Sequence, residues 1–109
     1  MQLSSIDGGK GKIIQGDQAD AIISTCLARY EQGSIDALYD LGVAFSTGSQ
    51  GLACDMIEAH KWLNIAASKG HEEANWSRAD VADEMTAREI AEAQRRAREW
   101  LIEGQRRAA

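Results

Sequence analysis

The sequence predicts an all-α fold, a short α/α solenoid of about five antiparallel helices, and three observations lead there. Proline is absent from the 109 residues and alanine is abundant, which permits long helices and argues against a turn-rich β fold. Apolar residues recur at i, i+3, i+4 and i+7 in successive stretches, the spacing of one helix face. Gly33 and Gly70 stand 37 residues apart, and similar residues follow each of them. A period of that size signals stacked helical hairpins.

Residues 1–16 contain Gly8, Gly9, Gly11 and Gly16 with few apolar side chains, and read as a flexible N-terminal tail. Ile13 and Ile14 are expected to dock on the first helix. The Gly-Gly-Lys-Gly-Lys run at 8–12 fails the phosphate-loop pattern: the glycine spacing is wrong, Ile13 stands where Ser or Thr is required, and no strand precedes it.

The helical domain is expected over 17–109. A first helix is predicted from about Gln18 to Gln32, with Asp17 as N-cap and an apolar stripe of Ile23, Cys26, Leu27 and Tyr30. Gly33 suits the position just past its end. A second helix is predicted from near Ile35 to near Thr47, with Leu38, Leu41, Gly42 and Phe45 on one face. Gly42 inside a helix costs about 1 kcal/mol relative to alanine. Close approach of a neighbouring helix is its usual justification.

A glycine-marked loop, Gly48 to Cys54, leads to Asp55, the expected cap of a third helix, with Glu58 in capping-box position. That helix carries Ala59, Trp62, Leu63 and Ala66, and stops at Lys69-Gly70. A fourth helix is predicted over about Glu72 to Glu84, with Ala74, Arg78, Val81, Ala82 and Met85 on one face. Thr86 and Glu89 form a second capping box that opens the longest helix, about Ala87 to Arg106. Its stripe is Ile90, Ala93, Ala97, Trp100 and Leu101. Glu92–Arg96 and Glu103–Arg107 are i,i+4 pairs in the favourable order, so its arginines read as a solvated face.

The repeat aligns Ala37 with Ala74, Tyr39 with Trp76, and Gly42 with Ala79. The stretch 34–70 resembles the Sel1-like repeats, relatives of the tetratricopeptide repeat. Ala37, Tyr39, Leu41, Gly42 and Phe45 match the first helix of that pattern. Gly51, Leu52 and Asp55 match its loop, and Gly48 matches with one inserted residue. Glu58, Ala59, Trp62, Ala66, Ala67 and Gly70 match its second helix. The resemblance implies a right-handed solenoid with one complete repeat at about 34–70. It implies a degenerate C-terminal repeat at about 71–107, in which Arg78 replaces a leucine and Ala79 the glycine. It also implies a small bacterial, cytoplasmic adaptor that binds protein partners.

With 17 acidic and 12 basic residues, and a net charge of −5, nucleic-acid binding is not expected. No apolar run is long enough to span a bilayer, and MQLSSIDGGKGK has no apolar segment of the secretory kind. Cys26 and Cys54 read as a reduced pair of small buried hydrophobes, with a disulfide or metal pair as the alternative. His60 is placed beside Lys61 on the polar side of the third helix, and His71 follows Gly70. Neither has a partner at metal-ligand spacing. No catalytic, cofactor or metal site is therefore expected.

The expected function is a non-enzymatic protein-interaction module. Its partner face is assigned to Asp36, Asp40, Val43, Trp76, Asp80 and Asp83, on the first helices of the two hairpins. Such a surface is acidic, which suggests a partner with a basic or amphipathic segment. Self-association as a homodimer through an uncapped repeat end is the alternative, and a redox or metal role through Cys26 and Cys54 stands third.

Overall fold

The computed structural model describes residues 4–108, with side chains over 18–108. Five α-helices, and no strand, occur among the described residues: α1 (Ser4–Glu31), α2 (Asp36–Thr47), α3 (Met56–Ser68), α4 (Glu72–Ala82) and α5 (Ala87–Ala108). α3 is the central element. It packs against α2, α4 and α5, while α2 also meets α1 and α4.

α1 begins at Ser4, so its backbone is helical through most of the stretch read as a tail, and Asp17 lies inside the helix instead of capping it. Each glycine costs about 1 kcal/mol there, but propagating an existing helix adds a hydrogen bond per residue and no proline interrupts it. The side chains of Ile13 and Ile14 lie outside the described residues.

The apolar stripes become the core. Leu38 and Leu41 of α2, Leu63 and Ile65 of α3, and Leu52 of the loop are the largest fully buried side chains. Each such aliphatic side chain stabilises the fold by about 1.5–3 kcal/mol relative to exposure. Gly42 is where α2 and α3 come closest. A Cβ there would stand 2.6 Å from Leu63 Cγ and 3.2 Å from the Leu63 backbone nitrogen. The loop between these helices is also pressed against a neighbour: a Cβ on Gly51 would meet Gln18 Cβ of α1 at 2.6 Å.

The α1–α2 and α3–α4 junctions share one geometry. Gly33 has φ of 105° and Gly70 of 99°. The Gly33 N–H donates to the Tyr30 carbonyl at 2.8 Å and the Ser34 N–H to that of Arg29 at 3.1 Å. The equivalent bonds run from Gly70 to Ala67 at 3.0 Å and from His71 to Ala66 at 3.1 Å. This is the glycine-ended helix stop, in which the left-handed residue frees two N–H groups to satisfy the last carbonyls.

The caps of α3 and α5 follow the sequence with one change. Thr86 and Glu89 form both bonds of a capping box, at 2.9 and 3.1 Å. At α3 only half a box forms. Asp55 accepts from the Glu58 N–H at 3.1 Å, but the Glu58 carboxylate turns away, and the Asp55 N–H donates to the Phe45 carbonyl instead. Glu58 accepts from Trp62 Nε1 at 3.2 Å, Lys61 Nζ at 3.3 Å and Arg96 Nη1 of α5 at 2.8 Å. A half-buried carboxylate gains more from three donors, two of them charged, than from an N–H that the Phe45 carbonyl already satisfies.

α5 attaches to α3 more than to α4. Trp100 inserts between Trp62, at a ring separation of 5.3 Å, and Tyr30 of α1, at 5.6 Å. Ala79, aligned in sequence with Gly42, is exposed, so the last hairpin does not repeat the close crossing of α2 and α3. The expected Glu92–Arg96 pair forms at 2.7 Å, but Glu103 pairs with Arg106 at 3.7 Å and not with Arg107.

Replacing Gly42 with leucine overpacks the α2–α3 crossing and lowers stability by about 1–3 kcal/mol. Urea denaturation measures it, and an unchanged midpoint would show that the two helices separate there without cost.

Candidate interaction face

The helix spacing that puts residues i, i+4 and i+7 on one side arranges Asp36, Asp40 and Val43 along α2, and Trp76, Asp80 and Asp83 along α4. α2 and α4 lie against each other, and a shallow groove of about 300 Å³ runs between them. Tyr39 and Val43 line one wall, Asp80, Val81 and Glu84 the other, with Met56 of α3 also lining it. Of the predicted face, Val43 and Asp80 enter the groove. Trp76 sits one turn from Asp80 and is 73% exposed. A single exposed apolar side chain is ordinary on a protein surface, but tryptophan is the type most often used to anchor a partner, and this one stands beside a groove.

The acidity of the face is narrower than the sequence implied. Asp36 Oδ1 lies 2.9 Å from His71 Nε2, and Asp40 accepts from Arg29 Nη2 of α1 at 3.2 Å. Both carboxylates therefore serve contacts within the chain. Asp80 and Asp83, together with Glu84, have no ion pair among the described residues and are exposed.

His71, read as a mere successor to Gly70, is the residue that ties this face together. Its Nδ1 accepts from the Ala74 N–H at 3.1 Å, which caps α4. That bond leaves the proton on Nε2, where it reaches Asp36 of α2. The ring also stacks on Tyr39, 4.5 Å away and inclined by 13°. One imidazole thus caps α4 and holds the start of α2 beside it. The sequence signal was available: a polar side chain three residues before the Ala74 N–H, directly before a helix, is a cap.

His60 is also placed differently from expectation. It is buried, at 3% exposure, and its Nδ1 has no hydrogen-bond partner among the described residues. Burial, and then the charge of Arg78, push its imidazole below the usual 6.5. Arg78 itself is held by Asn64 at 2.9 Å and by Asn75, which explains how a cation occupies the α4 stripe. The cysteines separate. Cys26 is buried and its thiol is raised by that burial, with Arg29 opposing the rise and Asp40 adding to it; Cys54 is exposed, and both are free. Cys54 is therefore not the buried hydrophobe expected of it.

A second groove, about 590 Å³, lies beside Lys61 of α3 and is lined along α5 by Arg96, Trp100 and Glu103. Ile102, 48% exposed, also lines it, and the outer face of α5 continues from there. Arg95 on that face is clamped by Glu92 and Glu99, each at 2.6 Å. Hydrogen bonds from Arg95, and then from Arg96, hold the Glu92 carboxyl at about 2. Among the described residues, no helix is long and apolar enough to cross a membrane.

No family model, curated protein or solved structure matches this chain.

Two outcomes follow from the histidines. His71→Ala removes the α4 cap and lowers stability by about 1–2 kcal/mol, whereas His71→Asn, which can still accept from Ala74, recovers most of it. Urea titration of both variants checks this, and equal losses would assign the effect to Tyr39 and Asp36 instead. For His60, the unfolded chain takes up a proton at a higher pH than the folded chain does. Its contribution is therefore fully present above 6.5 and declines as the pH falls toward the lower folded-state value. His60→Leu should flatten the loss of stability between about pH 7.5 and about pH 5.5 relative to the parent protein. Parallel slopes would remove His60 as the cause.

Proposed function

We propose that this chain is a non-enzymatic protein-interaction module, a short solenoid of Sel1-like repeats that takes a basic, amphipathic segment of a partner across α2 and α4. The exposure of Trp76 beside the α2–α4 groove carries this reading. Tryptophan is among the side chains that most often anchor protein interfaces. The adjacent free carboxylates of Asp80, Asp83 and Glu84 favour a partner bearing lysine or arginine and speed its approach. Helix-in-groove docking reads anchors at i, i+3, i+4 and i+7, which matches the spacing along both walls.

The repeat reading is supported by the junction at Gly33 and its equivalent at Gly70, where the same two hydrogen bonds recur with the same sequence offset. The buried pair Ala37 and Ala74 supports it as well. The C-terminal hairpin is then a degenerate closing unit. Its last helix turns a charged outer face to solvent, as end repeats do.

Peptide display against the intact protein, with the Trp76→Ala protein as counter-selection, tests the docking face. Enriched peptides should combine a large apolar residue with lysine or arginine one turn away, and should lose binding on the order of tenfold or more with Trp76→Ala. Enrichment of peptides that bind both proteins equally, or no enrichment at all, would defeat the reading.

A further inference from the structure

Among the described residues, Trp76 of α4 and Ile102 of α5 are the large apolar side chains left exposed. Each stands in a run of charges, and the two runs are complementary. On α4, Glu72 lies four residues before Trp76, Asp80 four after it and Asp83 seven after it. On α5, Arg106 lies four residues after Ile102, Arg98 four before it and Arg95 seven before it. Residues four and seven apart share a helix face. When two helices pack antiparallel, the order of one runs against that of the other. Setting Trp76 against Ile102 then places Glu72 opposite Arg106, Asp80 opposite Arg98, and Asp83 opposite Arg95. Glu99, the acid on this side of α5, falls opposite the exposed Ala79 and one residue from Asp80, with its own charge held by Arg95 at 2.6 Å.

We propose that the partner of the α4 face is the α5 face of a second copy of this chain, packed antiparallel in this register. The proposal rests on the reading of Trp76 as a docking anchor and names what docks. α5 has the chemistry that reading requires, an apolar side chain flanked by arginines. Arg98 is the cation to which the pairing gives most. It is exposed and has no ion pair among the described residues, and the same holds for Asp80 and Glu72. Arg95 is already held by Glu92 and Glu99, so its bond to Asp83 is a shared one. Each chain carries both faces on different helices. The contact is therefore either reciprocated in a two-fold dimer, in which α4 meets α5 of the other copy twice, or repeated head to tail along a chain of copies.

Sedimentation velocity of the full-length chain over a wide concentration range tests this. The parent protein should form assemblies larger than a monomer as concentration rises, and fewer of them as salt screens the charge pairs. Asp80→Arg alone and Arg98→Asp alone should each weaken association on the order of tenfold or more, because each sets like charges face to face. The double variant Asp80→Arg, Arg98→Asp should regain it. Melting curves by circular dichroism confirm that all three variants remain folded. A parent protein that stays monomeric throughout overturns the proposal, as do single changes without effect or a double variant that stays dissociated. A monomer that still binds Trp76-dependent basic peptides would leave the docking reading standing without this partner. A monomer that binds none would remove both.

Discussion

The contact between Gly42 and Leu63 sets the spacing of the whole molecule. With no side chain on Gly42, α2 lies close enough to α3 for the leucine to fill the gap where a Cβ would be. Leu38, Leu41 and Phe45 of α2 are then drawn against Ala59, Trp62 and Ala66 of α3, and the core closes over them. Interiors pack at near-crystalline density, so a change in one interaxial distance displaces every neighbour. The position of α4 relative to α2 is one of these dependent distances, because α4 rests on α3 and its cap His71 reaches across to Asp36 and Tyr39. The groove between α2 and α4 therefore inherits its width from a glycine on the adjoining face of α2.

What the sequence disclosed is what is decided within one or two helical turns. The stripes through Leu38 and Leu63, the cap at Asp55, the box at Thr86 and Glu89, and the stops at Gly33 and Gly70 depend on neighbours a few residues away. The structure carries them as expected. The reading failed where a side chain chose between a local and a distant partner. Glu58 has the spacing of a capping residue, yet Arg96, far along the chain, competes for it and wins. His60 follows an alanine and precedes a lysine, yet the packing of α3 among its neighbours puts it in the interior. The glycines before Asp17 suggested a chain without helix, but helix propensity is a weak prior against continuation of a helix already formed.

The candidate face was legible in part for the same reason. Periodicity placed Val43 with Asp36 and Asp40, and Asp80 with Trp76, and the fold sets Val43 and Asp80 in one groove. Charge alone could not reveal that Asp36 and Asp40 are occupied by His71 and Arg29, since those partners come from other helices. The same accounting isolates Asp80 and Arg98 as ions without internal employment. An exposed charge pair within a chain contributes little to stability, but unspent charges in matching order on two faces contribute to recognition.

Gly33 and Gly70 differ from Gly42 in a way that bears on how the hairpins are joined. A Cβ at Gly42 would collide with Leu63, whereas nothing lies within 4 Å of where one would stand at either junction glycine. What excludes an ordinary side chain at the junctions is the sign of φ alone, +105° at Gly33 and +99° at Gly70. The constraint there is one of handedness and not of room. A residue of mirror-image configuration, such as a D-alanine introduced by chemical synthesis, takes the positive φ that strains an L-residue. It would narrow the unfolded ensemble at each junction by about 0.4–1 kcal/mol and leave the folded path unchanged. The chain turns from one hairpin to the next at points where it uses glycine as the only coded residue without a hand.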